Sequence, residues 1–158
     1  TGVGTARQNL AATEYGGDKG IFGYGTTGVK VSMTNLVSNA GVVATDVTGV
    51  GTARDALAAC GYGGDKSIFG YGSPNGSSSL TNLVSNVGVV ASDTTGVGTA
   101  RGGLAACEYG GDKGIFGYGN AGSGVLSMTN LVSNAGVVAT DVTGVGTARI
   151  DLAACSYN

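Results

Sequence analysis

Charged side chains recur at fixed distances along this chain, and they are the first candidates for chemistry. Four arginines stand 47, 47 and 48 residues apart, and an aspartate precedes each of the last three by eight residues: Arg7, Arg54, Arg101 and Arg149, with Asp46, Asp93 and Asp141. A carboxylate beside a guanidinium can form a polar catalytic or binding site. The pattern also suits a structural ion pair or a turn-capping Asp. With no His in the chain there is no common general base, so we predict structural repeat positions and no enzyme.

The three cysteines share one position in successive repeats, which raises the question of a metal or redox cluster. Cys60, Cys107 and Cys155 occupy this position, and Thr13 occupies it in the first repeat. Such clusters usually need CxxC or Cys/His pairs, and the chain has neither. A small buried residue that faces a neighbouring repeat explains the position better. We therefore predict no metal, no cofactor and no catalytic residue.

These residues recur because the chain is a tandem repeat. The segment TGVGTAR begins at Thr1, Thr48, Thr95 and Thr143, and YGGDK, IFGYG, TNLVSN and GVV follow it in the same order in three complete copies. A fixed period of 20–50 residues predicts a repeat architecture. We therefore treat the 158 residues as a single repeat array with units 1–47, 48–94 and 95–142, and with 143–158 as the first strand of a further unit.

Within one repeat the residues alternate as they do in short β-strands. In the third repeat the predicted strands are 101–109, 114–119, 125–132 and 137–141, separated by turns rich in Gly, Asp, Ser and Asn. Period-two alternation in the first of them directs Leu104, Ala106 and Glu108 to one face. No window has the 3.6-residue periodicity of a helix. The predicted fold class is all-β, and four strands in every 47–48 residues are typical of a β-propeller blade, with a β-solenoid as the alternative.

The repeat resembles that of the kelch family of propellers. In the second repeat the resemblance rests on Arg54, the small-residue strand Leu57-Ala58-Ala59, the turn 63–66 and the aromatic strand 68–72 that ends in glycine. The chain differs from the family pattern in having a Tyr between the two final glycines and no Trp in the last strand. The resemblance implies a scaffold that binds protein or sugar through loops at one face.

The number of repeats predicts self-association. Propellers have about four to eight blades, so three complete repeats cannot close a ring and would leave open strand edges. Two chains supply six complete repeats and two spare first strands, which lies within that range. We therefore predict a homodimer that forms one six- or seven-bladed ring, with a C-terminal strand completing a blade in the partner. The alternative is that the chain is a piece of a longer repeat protein.

One loop changes from repeat to repeat while its surroundings do not. It covers 26–33, 73–80 and 120–128, and it contains the only Pro of the chain. Loops on a rigid scaffold often carry binding residues, although exposed loops also vary freely. The candidate binding residues are the polar side chains of this loop: Thr26, Thr27, Lys30, Ser73, Asn75, Ser77, Asn120 and Ser123.

Composition limits the partners. The net charge is −2, with 8 basic and 10 acidic residues, so there is no basic footprint for nucleic acid. The chain has no run of 18 apolar residues that would predict a membrane span, and the missing initiator Met favours a processed product or a fragment.

The predicted function is a non-catalytic, self-assembling scaffold. The alternative is a carbohydrate- or receptor-binding module, extracellular or virion-associated, that uses the variable loops for a glycan or protein ligand.

Overall fold

The computed structural model describes residues 2–157, and the described chain is all-β, without a helix. In this described part nine strands form three antiparallel sheets, each with three strands in sequential order and each built from one complete repeat. The strands are β1 (Ala11–Tyr15), β2 (Lys19–Gly23), β3 (Thr34–Val37), β4 (Ala58–Tyr62), β5 (Lys66–Gly70), β6 (Thr81–Val84), β7 (Ala105–Tyr109), β8 (Lys113–Gly117) and β9 (Thr129–Val132). Within 2–157 nothing resembles a membrane-crossing helix in length and hydropathy.

A glycine turn joins the first two strands of each sheet. In the first sheet Tyr15 pairs with Lys19, so residues 16–18 form the turn. Gly16 and Gly17 have φ angles of +62° and +78°, a region in which a side chain is strained. The predicted turn of four residues is therefore one residue too long, because the Lys already belongs to the second strand.

The fourth predicted strand is present only as a bulged edge. In the first repeat Val43 bridges to Val37 and Val47 bridges to Thr34, so the outer segment has one more residue between the bridges than β3 has. The other two repeats show the same offset. Such an extra residue bends the edge and interrupts the ladder. The sheets are accordingly three-stranded, where sequence alone predicted four regular strands.

The predicted first strand also begins too early. In the third repeat the alternation predicts a start at residue 101, but β7 begins at Ala105, because Gly103 has a φ of +63° and turns the backbone away from an extended path. Residues 152–157 form no strand within the described chain, and the Tyr157 side chain is fully exposed. The sequence holds no fourth copy of β2 with which they could pair.

The apolar core lies between successive sheets. One cluster combines Ala11, Tyr15, Ile21 and Tyr24 of the first repeat with Leu57, Phe69 and Val84 of the second. A second cluster joins the second and third repeats in the same way. Backbone hydrogen bonds at equivalent positions continue across the repeats, from Ala56 N to Asn9 O, from Gly103 N to Ala56 O and from Asp151 N to Gly103 O. Each repeat is thus stabilised mainly by its neighbours, as in other repeat proteins.

Candidate functional site

Each complete repeat contains a polar network centred on its arginine. In the second repeat Arg54 donates from Nε to Tyr71 O at 2.8 Å, from Nη1 to Thr52 O at 3.1 Å and from Nη2 to Asn82 Oδ1 at 2.7 Å. The side chain is fully buried, so these bonds replace the water that the cation has lost. Arg101 has the equivalent three bonds in the third repeat.

The repeated aspartate closes the same network. Asp93 Oδ2 accepts hydrogen bonds from Thr52 N at 2.9 Å and Thr52 Oγ1 at 2.7 Å, and its Oδ1 accepts one from Asn82 Nδ2 at 2.9 Å. Burial raises the pKa of Asp93, but the hydrogen bonds from Thr52 and Asn82 and the charge of Arg54 outweigh it, so the pKa lies below its ordinary value of 3.8. The network ties the first residues of a repeat to its last ones.

The arginine and the aspartate that are close in sequence are not partners. Arg54 Nη1 lies 3.8 Å from Asp93 Oδ1, and Asp93 precedes Arg101 by eight residues without pairing with it. The observed pairs are Arg7–Asp46, Arg54–Asp93 and Arg101–Asp141. Arg149 has no carboxylate partner within the described residues and donates to Thr147 O and Tyr118 Oη.

A tyrosine of the preceding repeat completes the joint between two repeats. The guanidinium carbon of Arg54 lies 4.3 Å from the centre of the Tyr24 ring, and Tyr24 Oη donates to Val50 O at 3.2 Å. The same arrangement joins Arg101 to Tyr71, and burial raises the pKa of Tyr71 to about 12. These tyrosines are the residues that interrupt the double glycine of the kelch pattern, and the sequence alone predicted no role for them.

A phenylalanine inserts against glycine at the same joint. The Phe69 ring packs edge-to-face on Tyr24 with centroids 5.2 Å apart, and a Cβ on Gly23 would lie only 2.7 Å from Phe69 Cζ. Phe116 packs in the same way on Tyr71 and Gly70. The glycine is needed because the ring approaches the backbone too closely for any side chain. This explains why the aromatic strand ends in glycine.

The variable loops touch each other across repeats. Lys30 Nζ donates to Ser73 O at 2.6 Å and lies 3.1 Å from Asp55 Oδ1, and Ser77 Oγ donates to Asn120 O at 3.4 Å. Thr26, Ser73 and Asn120 take part in backbone bridges. The remaining candidates Thr27, Asn75, Ser77 and Ser123 are exposed. The loops thus form one row of polar groups, some of them engaged in structural contacts.

The cysteine positions line one cavity. Thr13, Cys60, Cys107 and Cys155 surround a space of about 270 Å³ together with the residues next to them. All three thiols are free, and burial raises the pKa of Cys60 to about 12. Cys60 Sγ faces Gly114 of the next repeat, where a Cβ would approach it to 2.5 Å. Among residues 2–157 no three His, Cys, Asp or Glu side chains gather as metal ligands would.

Two glutamates face the same cavity on either side of Gly61. Burial raises the pKa of Glu108, and the charge and hydrogen bonding of Glu14 raise it further. The Glu108 side chain covers Gly61, where a Cβ would collide with its carboxyl group. At this position of the repeat the chain therefore alternates between a glutamate and a small residue, in the order Glu14, Gly61, Glu108 and Ser156.

Comparison with known proteins adds no assignment: no protein-family model matches this chain, and no curated protein matches it either.

Proposed function

We propose that the chain is a non-catalytic scaffold of kelch-like propeller blades that self-assembles, two copies forming one ring of six or seven blades. The observation that carries this proposal is the location of the core between sheets. The buried aromatic and aliphatic side chains of a repeat pack mainly against a neighbouring repeat, so an end repeat gains burial by meeting another one.

The polar residues support a structural role. The guanidinium groups of Arg54 and Arg101 are fully buried, and their Nε and Nη2 atoms donate hydrogen bonds to oxygens of the protein. A group that is to bind or activate a substrate must be reachable by it. In this proposal the Arg, Asn, Asp and Tyr of each repeat hold blades together.

The mass of the purified chain in solution tests this proposal. Light scattering and native mass spectrometry over a wide concentration range should give twice the chain mass of 15.2 kDa. A chain that stays monomeric at every concentration would contradict self-assembly, and it would favour a piece of a longer array.

A second candidate function is the binding of a glycan or a protein through the variable loops. The observation that favours it is the contact between these loops, because Lys30 meets Ser73 and Ser77 meets Asn120. The exposed hydroxyl and amide groups of Thr27, Asn75 and Ser123 would then face one ligand. Dose-dependent signals on a glycan array, weakened by Asn75→Ala, would support it, and a silent array would count against a sugar ligand.

A further inference from the structure

The two ends of the array carry opposite halves of the joint that holds its interior together. Inside the chain the joint consists of a phenylalanine of one repeat on a glycine of the repeat before it. Phe69 and Phe116 are fully buried in this way, whereas the equivalent Phe22 of the first repeat is 38% exposed. The first repeat therefore presents the inserting half without a receiving one.

The third repeat presents the receiving half. A Cβ on Gly70 would lie 2.6 Å from Phe116 Cζ, but a Cβ on Gly117 would meet only Thr129 Cγ2, at 3.4 Å. The space over Gly117 is a cavity of about 250 Å³ that is also bordered by Ile115, Tyr118 and Leu152. Its apolar lining and its position match the place that Phe69 and Phe116 fill in the two internal joints.

A second contact of the joint is open at the same two ends. A Cβ on Gly88 would lie 2.9 Å from Leu36 Cδ2 and 3.0 Å from Tyr15 Cε2, both in the preceding repeat. A Cβ on the equivalent Gly41 of the first repeat would have no described atom within 4 Å. The residues that would cover Gly41 are the third-repeat equivalents, Tyr109 and Leu131, and both are 37% exposed. Two independent contacts thus have their missing halves at opposite ends of one chain.

The C-terminal segment already occupies part of the position where a further repeat would lie. Gly119 N donates to Arg149 O at 2.9 Å, and the Arg149 guanidinium carbon lies 4.9 Å from the centre of the Tyr118 ring. Residues 143–157 read TGVGTARIDLAACSY and so match TGVGTARQNLAATEY at 1–15. One of these two segments must give way when the ends meet, because both belong in the same place.

Charge and hydrogen bonding favour retention of the C-terminal segment. A second copy's own first strand would bring its Glu14 next to Glu108, while the C-terminal segment places Ser156 at that position, beside Glu108 in the same cavity. Arg149 has no side-chain amide or carboxylate partner within the described residues, and Arg7 has a buried Nε without a hydrogen-bond partner there. Replacing Arg7 by Arg149 would transfer Asn35 and Asp46, the present partners of Arg7, to a guanidinium that also stacks on Tyr118.

We propose that the open face of the third repeat binds the first repeat of a second copy by strand exchange. Phe22 of the second copy fills the space over Gly117, and its Gly41 packs on Tyr109 and Leu131. Residues 152–157 pair with β2 of the second copy in place of that copy's β1. Arg149 then donates to its Asn35 and Asp46. This inference rests on the proposed self-assembly and names the surface responsible for it.

Two variants that damage opposite halves of the joint test this surface. Phe22→Ser removes the inserting ring. Gly117→Val fills the receiving space, and it is compatible with the single chain because Gly117 has no positive φ and its Cβ has room. Each variant alone should associate about a hundredfold more weakly than the unchanged chain, since it lacks the burial of one large aromatic side chain at every junction. Val29→Ser, at a side chain that is 75% exposed in a variable loop, is the matched control and should associate normally.

A mixture of the two variants provides the decisive measurement. Phe22 of the Gly117→Val chain can still insert over Gly117 of the Phe22→Ser chain. Native mass spectrometry of the mixture should therefore detect a heterodimer at a concentration at which each variant alone is monomeric. Circular dichroism checks that both variants are folded. If the unchanged chain is dimeric and both folded variants dimerise equally well, the docking surface is wrong while self-assembly stands. If the unchanged chain is itself monomeric, the proposed function fails, and this inference fails with it.

Discussion

The guanidinium of Arg54 lies 4.3 Å from the centre of the Tyr24 ring, although the two residues belong to different repeats. The same side chain donates to Tyr71 O and Asn82 Oδ1 of its own repeat. Arg54 is therefore bonded to its own sheet and stacked on the neighbouring one. A buried cation in this position links the stability of one repeat to the presence of the next.

Replacing Arg54 by leucine should lower the free energy of unfolding by about 3–5 kcal/mol, because it leaves Asp93 and Asn82 buried or half-buried without their partner. Both substitutions are made in the Phe22→Ser chain, in which no second copy docks on the third repeat. Arg149→Leu is then the matched control, since Arg149 is exposed and has no carboxylate partner among the described residues. Its loss should cost about 1 kcal/mol or less. Urea unfolding of both variants measures the difference, and equal losses would show that the internal network contributes nothing beyond the stacking contact.

Leu104→Ala should lower the free energy of unfolding by about 2–5 kcal/mol. Leu104 is only 6% exposed and belongs to the cluster that joins the second and third repeats. Truncation leaves a cavity at that joint. The equivalent Leu152→Ala is the control when both substitutions are made in the monomeric Phe22→Ser chain, because Leu152 is only partly buried in the terminal segment there and should lose less. A loss below about 1 kcal/mol for Leu104→Ala, measured by urea unfolding, would place this side chain outside the core.

Acid should destabilise the fold through the aspartates of the arginine networks. The pKa of Asp93 is below 3.8, and those of Asp46 and Asp141 are lowered too. A carboxyl group whose pKa is lowered by folding stabilises the fold at pH values above its ordinary pKa, and the stabilisation is lost as the pH falls through the lowered value. The free energy of unfolding should therefore fall steeply below about pH 4.

Two variants identify the groups responsible for this acid response. Asp93→Asn should be less stable at neutral pH and should show a shallower loss of stability on acidification, because it has one linked proton fewer. Val29→Ser changes an exposed side chain without changing the charge and should keep the slope of the unchanged chain. Unfolding midpoints measured from pH 7 downwards compare them, and identical slopes in all three proteins would assign the acid response to other groups.

Local patterns in the sequence were enough to predict the all-β class, the presence of repeated units and most turns. The bulged fourth segment was missed, because an extra residue between Val43 and Val47 changes pairing without changing composition. The partner of Arg54 was missed for a different reason. Arg54 is close in sequence to Asp46 and far from Asp93, but the chain between Asp46 and Arg54 crosses from the first sheet to the second. Asp46 therefore pairs with Arg7 of its own repeat, and Arg54 pairs with Asp93. The role of Tyr24 and Gly23 depends on a neighbouring repeat, which no single-repeat pattern contains.

The three thiols should react at different rates, because they occupy the same position at different depths in the array. Cys60 is buried and its pKa is raised to about 12, Cys107 is half-buried and Cys155 is exposed. Since the thiolate is the reactive form, a maleimide at neutral pH should label Cys155 of the monomeric Phe22→Ser chain first and Cys60 only after unfolding. Mass spectrometry of digested samples taken over time measures each rate, and Cys155→Ser should remove the fast phase. A fast phase that survives this substitution would show that Cys107 or Cys60 is more accessible than the structure indicates.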